Sequence, residues 1–174
     1  MEPTVELTAE DTRCNGPDDA VTAGRKAGTR PYGRGELGAD MKIYVAAKFE
    51  AKDAVKEIYA RLRDAGHVIT HDWTQEDDTA YVTFAEKVEY HRMCAMNDLE
   101  GVRSADALVL FPHEKGKGLY FEFGAAMALD IPVFILGQWY VSAPCIFQRL
   151  VSPKRWLSNV EELVEALIKV QEVV

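Results

Sequence analysis

From Met41 onward the apolar positions switch repeatedly between two periods. "KIYVAA" (42–47) is a short run of β-branched and aromatic residues and reads as a strand. In "EAKDAVKEIYARLRDAG" (50–66), Val55, Ile58 and Leu62 recur at helical spacing until Gly66 ends the pattern. "HVITHDW" (67–73) reads as a second strand, and the stretch from about Thr83 to Arg103 as a long helix. "ADALVLF" (105–111) is a third strand, "YFEFGAAMALD" (120–130) a helix and "IPVFILG" (131–137) a fourth strand. "SNVEELVEALIKV" (158–170) closes the chain as a helix, with Ser158 and Glu161 at capping-box spacing. Strands that alternate with helices predict an α/β domain, a parallel sheet with helices on both faces. In such sheets ligands bind beyond the carboxyl ends of the strands. The segments after the first and third strands are therefore the places to expect a site.

Residues 1–40 break the pattern. They are rich in Gly, Asp, Glu, Thr and Ala with no sustained period, and read as a flexible extension before a single domain over 41–174. The chain has 174 residues, which suits one domain with a proper core and is short for two. Its net charge of -8, with no basic stripe, argues against a nucleic acid polymer as partner. A small anion in a local pocket remains compatible with that charge. Cys14, Cys94 and Cys145 are odd in number and match no metal or disulfide spacing, so a reducing cytoplasm is expected. No apolar run approaches the roughly 20 residues that span a bilayer, so no membrane partner is expected.

Two carboxylates stand out. Glu122 lies among Leu119, Tyr120, Phe121 and Phe123, just after a Gly-Lys-Gly turn. The plain structural alternative is a helix-end acid, which favours the positive dipole end by about 0.3–1 kcal/mol. Gly116 and Gly118 allow a tight turn there, Gly124 and Ala125 would let the helix lie close to the sheet, and the apolar neighbours would desolvate a carboxylate facing the crevice. Asp98 lies on the long helix, where Phe84, Val88, His91, Ala95, Leu99 and Val102 share one stripe. Asp98 falls at the edge of that stripe, away from Glu86, Glu89, Glu100 and Arg103. A carboxylate on a packed side needs a partner or a task. A hydrogen bond to a backbone end would also satisfy it.

"KIYVAAKF", "MNDLEGVRSADALVLF", "GLYFEFGAAMAL" and "IPVFILG", in this order, resemble the nucleoside 2-deoxyribosyltransferase family and its deoxynucleotide N-glycosidase relatives. The resemblance spans most of 42–137. It implies a flavodoxin-like, doubly wound parallel sheet of about five strands. It also implies cleavage of the bond between a base and a deoxyribose, with the sugar passed to another base or to water. Glu122 matches the family's nucleophile, Asp98 the acid that positions or protonates the departing base, and Tyr44 the tyrosine of the first strand beside the nucleophile. A homo-oligomer, in which a neighbouring subunit completes the pocket, is implied as well, and "QWYVSAPCIF" (138–147) is a candidate interface loop. No cofactor and no metal are expected.

The residues suit that chemistry independently. Breaking an N-glycosidic bond develops positive charge on the sugar and negative charge on the base. One carboxylate stabilises the first, covalently or electrostatically, and an acid stabilises the second. Departures exist too. Members of the family often carry an Asp six residues before the nucleophile, where this chain has Gly116. The first loop, "AAKFEAKDA", lacks the hydroxyl and arginine signature of the nucleotide-cleaving relatives. Lys48, Lys52, His113, Lys115 and Lys117 would supply positive charge for a 5′-phosphate instead, unless they serve only solubility. The N-terminus of the first helix is a further candidate anion site. The remaining candidate substrate contacts are Ala46 and Phe49 after the first strand, His71 and Trp73 after the second, His91 on the long helix, and Gly118. A non-catalytic nucleotide sensor on the same fold, or a glycohydrolase of another nucleotide such as NAD, are the competing functions.

Overall fold

A computed structural model of the protein describes residues 41–77, 79–137 and 145–172. The expected extension at 1–40 and most of the candidate interface loop, residues 138–144, lie outside the described residues. Five strands form one parallel sheet: β1 (Lys42–Ala46), β2 (Val68–Ile69), β3 (Ala107–Leu110), β4 (Val133–Leu136) and β5 (Trp156–Leu157). Their order is β2-β1-β3-β4-β5. Four helices connect and flank them: α1 (Lys52–Asp64), α2 (Phe84–Ser104), α3 (Gly118–Ala128) and α4 (Val160–Glu172). This is the doubly wound, flavodoxin-like α/β arrangement. The chain winds outward from β1 to β2 on one side, then from β3 to β5 on the other. The crevice between the carboxyl ends of β1 and β3 is the switch point at which such sheets bind ligands.

The central strands are apolar throughout. Every residue of β3 and of β4 is buried, as expected of strands covered on both faces. Each large side chain among them contributes about 1.5–3 kcal/mol by leaving water. The amphipathic pattern of α1 points Val55, Ile58, Tyr59 and Leu62 inward. The helix ends where Gly66 takes a left-handed φ of 89°, a conformation that costs a side chain but not glycine. His67 N–H then bonds back to the Leu62 carbonyl at 2.9 Å. Thr83 caps α2, and Glu86 returns a bond to the Thr83 N–H, a complete capping box.

Several expectations need correction. The second strand pairs only over Val68–Ile69, not 67–73. Beyond it Thr70 N–H still reaches the Ile43 carbonyl, but Trp73 turns into a 3-10 segment, tied by its indole N–H to the Val45 carbonyl at 2.8 Å. α4 is capped by Asn159, whose Oδ1 accepts from Glu162 N–H at 2.9 Å, and not by Ser158 with Glu161. Glu161 instead pairs with Arg61. The apolar stripe of α2 is not packed within the described chain. Phe84 is 84% exposed, Val88, His91, Ala95 and Leu99 are exposed as well, and only Gly101 and Val102 are buried. The buried residues of the helix lie only near its C-terminal end; nearer its start Tyr90 stacks on Tyr81, while the apolar side chains of Phe84 and Val88 stay exposed. Gly124 is exposed with nothing near a would-be Cβ, so it does not bring α3 to the sheet. Leu119, Phe123 and Ala126 make that contact.

Candidate active site

Three elements bring Tyr44, Asp98 and Glu122 together at the switch point. Tyr44 is fully buried on β1, and its hydroxyl donates to Asp98 Oδ1 of α2 at 2.8 Å. Burial holds the Tyr44 phenol far above its usual range, and the charges of Glu122 and Asp98 raise it further. Tyr44 is therefore a permanent proton donor. Glu122 lies on α3, which begins at Gly118 and not at Tyr120, so Glu122 falls beyond the first turn. The dipole preference fades within one turn, and the plain explanation for a carboxylate there loses its force. Burial pushes the Glu122 carboxyl up to about 8, and the Asp98 charge adds to the shift. Asp98 is likewise raised by burial, against the lowering effect of the Tyr44 bond. Tyr44 has one proton to give. While Asp98 receives it, Glu122 Oε2 is buried with no hydrogen-bond partner among the described residues. Carboxyl groups so placed titrate as a coupled pair and not singly.

Glu122 and Asp98 face an open cavity of about 290 Å³. Lys48, Phe49 and Trp73 form one part of its wall, and Gly116, Lys117 and Gly118 another. Phe49 and Trp73 stack, with ring centroids 6.4 Å apart. A second cavity of about 330 Å³ shares Phe49, Glu76 and Asp98 with the first and adds His91. His71 stands behind the carboxylates, its Nε2 3.7 Å from Asp98 Oδ1. Ala46 is fully buried in β1 and lines neither cavity; Ala47 takes that place. His113 also lines neither, and shapes the loop instead by accepting the Lys115 N–H on Nδ1 and the Tyr120 hydroxyl on its carbonyl. Lys48 pairs with Glu50 at 3.3 Å. Lys52 turns away to the Glu76 carbonyl and covers the Phe49 ring at 3.9 Å. Lys115 and Lys117 line the cavity mouth.

Gly116 and Gly118 do not use left-handed backbone; among the described glycines only Gly66 and Gly137 do. Gly116 serves space. A Cβ there would lie 2.3 Å from Leu119 Cδ2, so a side chain requires the buried Leu119 to move.

Two residues escaped the sequence reading. Glu76 lines both cavities, and its Oε1 is 3.2 Å from His71 Nε2. In the sequence it is one acid of the run "QEDD", and only its place after the second strand hints at a role. Gly101 lies three residues after Asp98 in "MNDLEGVRSADALVLF", but its task is visible only in three dimensions. A Cβ on it would lie 2.8 Å from His71 Cβ and 2.9 Å from Tyr44 Cδ2. Glycine lets α2 approach close enough for Asp98 to reach Tyr44. His71, Glu76 and Asp98 each offer one ligand atom, all within 4.8 Å of one another. That mixed nitrogen and oxygen set could hold a divalent cation, or serve purely as a hydrogen-bonding cluster.

The family model of the nucleoside 2-deoxyribosyltransferases matches residues 43–148. The chain belongs to that family. The matched span holds Tyr44, Glu76, Asp98 and Glu122, so the cavity just described lies wholly within the nucleoside 2-deoxyribosyltransferase domain. The protein is thus a glycosyl-transferring or glycosyl-cleaving enzyme that acts on small nucleosides or nucleotides. Among solved structures, the CMP N-glycosidase BcmB of Clostridium botulinum is similar in fold. It is 18% identical, the match covers 74% of this chain and 98% of that one, and the TM-score is 0.50. No curated protein matches. Among the described residues no helix is long and apolar enough to cross a membrane.

Proposed function

We propose that this enzyme cleaves the N-glycosidic bond of a 2′-deoxynucleoside or its 5′-monophosphate. Glu122 attacks the anomeric carbon, the base departs against Asp98, and the sugar passes to another base or to water. The observation that carries this reading is that Glu122 and Asp98 line one cavity, with Tyr44 bonded to Asp98 and both carboxyls raised by burial. Attack needs Glu122 ionised, and departure needs a proton near the base. One proton on the pair meets both needs when it rests on Asp98. Positive charge developing on the sugar favours that distribution, because it stabilises the anionic Glu122.

Lys48, Lys115 and Lys117, together with the N-terminus of α3 at Gly118, line the same cavity. They favour a 5′-monophosphate over the free nucleoside. The exposed apolar face of α2 supports a homo-oligomer, since a second copy would bury it.

Base release from deoxynucleosides, their 5′-monophosphates, ribosides and NAD, with and without an acceptor base, tests the proposal. Release confined to deoxy substrates is expected, with a loss of about 10³-fold or more in Glu122→Ala at unchanged circular dichroism. Binding without release identifies a sensor, and release from NAD alone identifies the other glycohydrolase. Lys48→Ala and Lys117→Ala should each lower the kcat/KM ratio of monophosphate to nucleoside about tenfold, the size of one lost charge-assisted bond. An unchanged ratio marks both lysines as surface charges.

A further inference from the structure

Glu76 lines both cavities beside Asp98, and the proposed reaction does not use it. It is well held. Its N–H donates to the Trp73 carbonyl at 3.0 Å, and its own carbonyl accepts from Lys52 Nζ. His71 Nε2 then fixes one carboxylate oxygen at 3.2 Å. The side chain is 18% exposed, and the little surface it keeps opens on the cavities that contain Asp98. A carboxylate has about four acceptor positions; His71 occupies one and the Cys94 thiol another. Gly116, which lines the first cavity, contributes no side chain, and one added there would press on Leu119. The acceptor that stands beside Asp98 in both cavities is Glu76, with His71 behind it.

We propose that Glu76 is a specificity-determining residue that selects bases carrying an exocyclic amino group. This rests on the N-glycosidic cleavage proposed above. Glu76 accepts and Asp98, when it carries the pair's proton, donates, so the site presents an acceptor next to a donor. An amino group beside an unprotonated ring nitrogen, as in cytosine or adenine, is the complement of that pattern. Uracil and hypoxanthine present the reverse, an oxo group beside a ring N–H. Each would set oxygen against oxygen at Glu76 and hydrogen against hydrogen at Asp98. Sites built to bond a polar group reject analogues that lack it far more strongly than apolar pockets reject a methylene. Carboxylate acceptance from an amino group of cytosine is a recurrent base contact.

The test compares kcat/KM for matched pairs that differ only in that group, 2′-deoxycytidine against 2′-deoxyuridine and 2′-deoxyadenosine against 2′-deoxyinosine, each also as the 5′-monophosphate. Wild type should favour the amino member by about tenfold or more in at least one pair, the equivalent of one discriminating contact. Glu76→Gln, which can donate as well as accept, should bring that ratio towards one while retaining release. Calorimetric titration of wild type and Glu76→Ala with free cytosine and uracil gives a second readout that needs no turnover. Cytosine should bind the wild type more tightly, and Glu76→Ala should lose the difference. Release with equal rates for amino and oxo members, or a preference that survives Glu76→Gln, overturns the role of Glu76 and leaves the cleavage reading standing. Absence of release from every substrate overturns both.

Discussion

The two helices that carry the carboxylates are held in opposite ways. α3 buries Leu119, Phe123 and Ala126 against the sheet, so Glu122 sits on a backbone fixed by packing. α2 buries only Gly101 and Val102, and leaves Phe84, Val88 and Leu99 exposed. Asp98 is fixed instead by one hydrogen bond, from Tyr44, with His71 alongside. The contrast separates two routes to a preorganised group. The position of Glu122 should respond little to changes in its neighbours' polar groups, because it comes from close packing. Asp98 should respond strongly to anything that alters the approach of α2 to β1.

The largest effect expected from breaking this contrast is that of Asp98→Asn. A general acid contributes about 10²–10⁴-fold, so turnover should fall by about 10² or more. The pH profile decides its cause. In wild type, kcat/KM should fall above about 8, where the raised carboxyl at Glu122 gives up its proton and none is left to pass to Asp98. Without the Asp98 charge the Glu122 carboxyl drops, and there is no acid left to lose. The alkaline fall should then disappear. An alkaline limb that survives in Asp98→Asn would show that it comes from another group.

Gly101→Ala comes next. The new methyl would strike His71 Cβ and Tyr44 Cδ2, and backing α2 away lengthens the Tyr44–Asp98 bond. A loss of one such bond to a charged group corresponds to about tenfold in kcat. KM for substrates should change little, and circular dichroism should match wild type. An unchanged kcat would show that α2 accommodates the methyl without moving Asp98.

A separate effect concerns stability and leaves turnover aside. The folded Glu122 carboxyl is raised from an ordinary 4.5 to about 8. Between those values the folded state binds more protons than the unfolded one, so stability falls as pH climbs through that window. Glu122→Gln does not titrate. Its melting temperature should gain on wild type from pH 5 to pH 8 by on the order of 10 °C, since three pH units correspond to about 4 kcal/mol at about 2–4 °C per kcal/mol for a chain of this size. A constant difference across that range would mean that Glu122 is not desolvated.

The same contrast explains what the sequence made legible. Continuous apolar runs such as "ALVL" and "VFIL" declare strands covered on both faces, and both lie where expected. Glu122 stood out because its neighbours are apolar, which is a local property. Asp98 was placed at the edge of a packed stripe, and it is part-buried beside Tyr44, although most of the stripe is exposed. Periodicity reveals that a helix has an apolar face, but not what covers it. β5 went unread because two residues, Trp156 and Leu157, carry no period. Glu76 and Gly101 depend on non-local approach, of the segment after β2 and of α2, and nothing in the neighbouring residues records that.

The most direct test of Glu122 as nucleophile is the stereochemistry of the product. Attack by Glu122 followed by attack on the resulting glycosyl-enzyme inverts the anomeric carbon twice, whereas direct attack by an acceptor inverts it once. Turnover of a β-configured deoxynucleoside or its monophosphate in methanol-containing buffer yields a methyl 2-deoxyriboside, whose configuration proton NMR reads on first formation. The β-anomer is the expected product. The α-anomer would contradict a covalent role for Glu122.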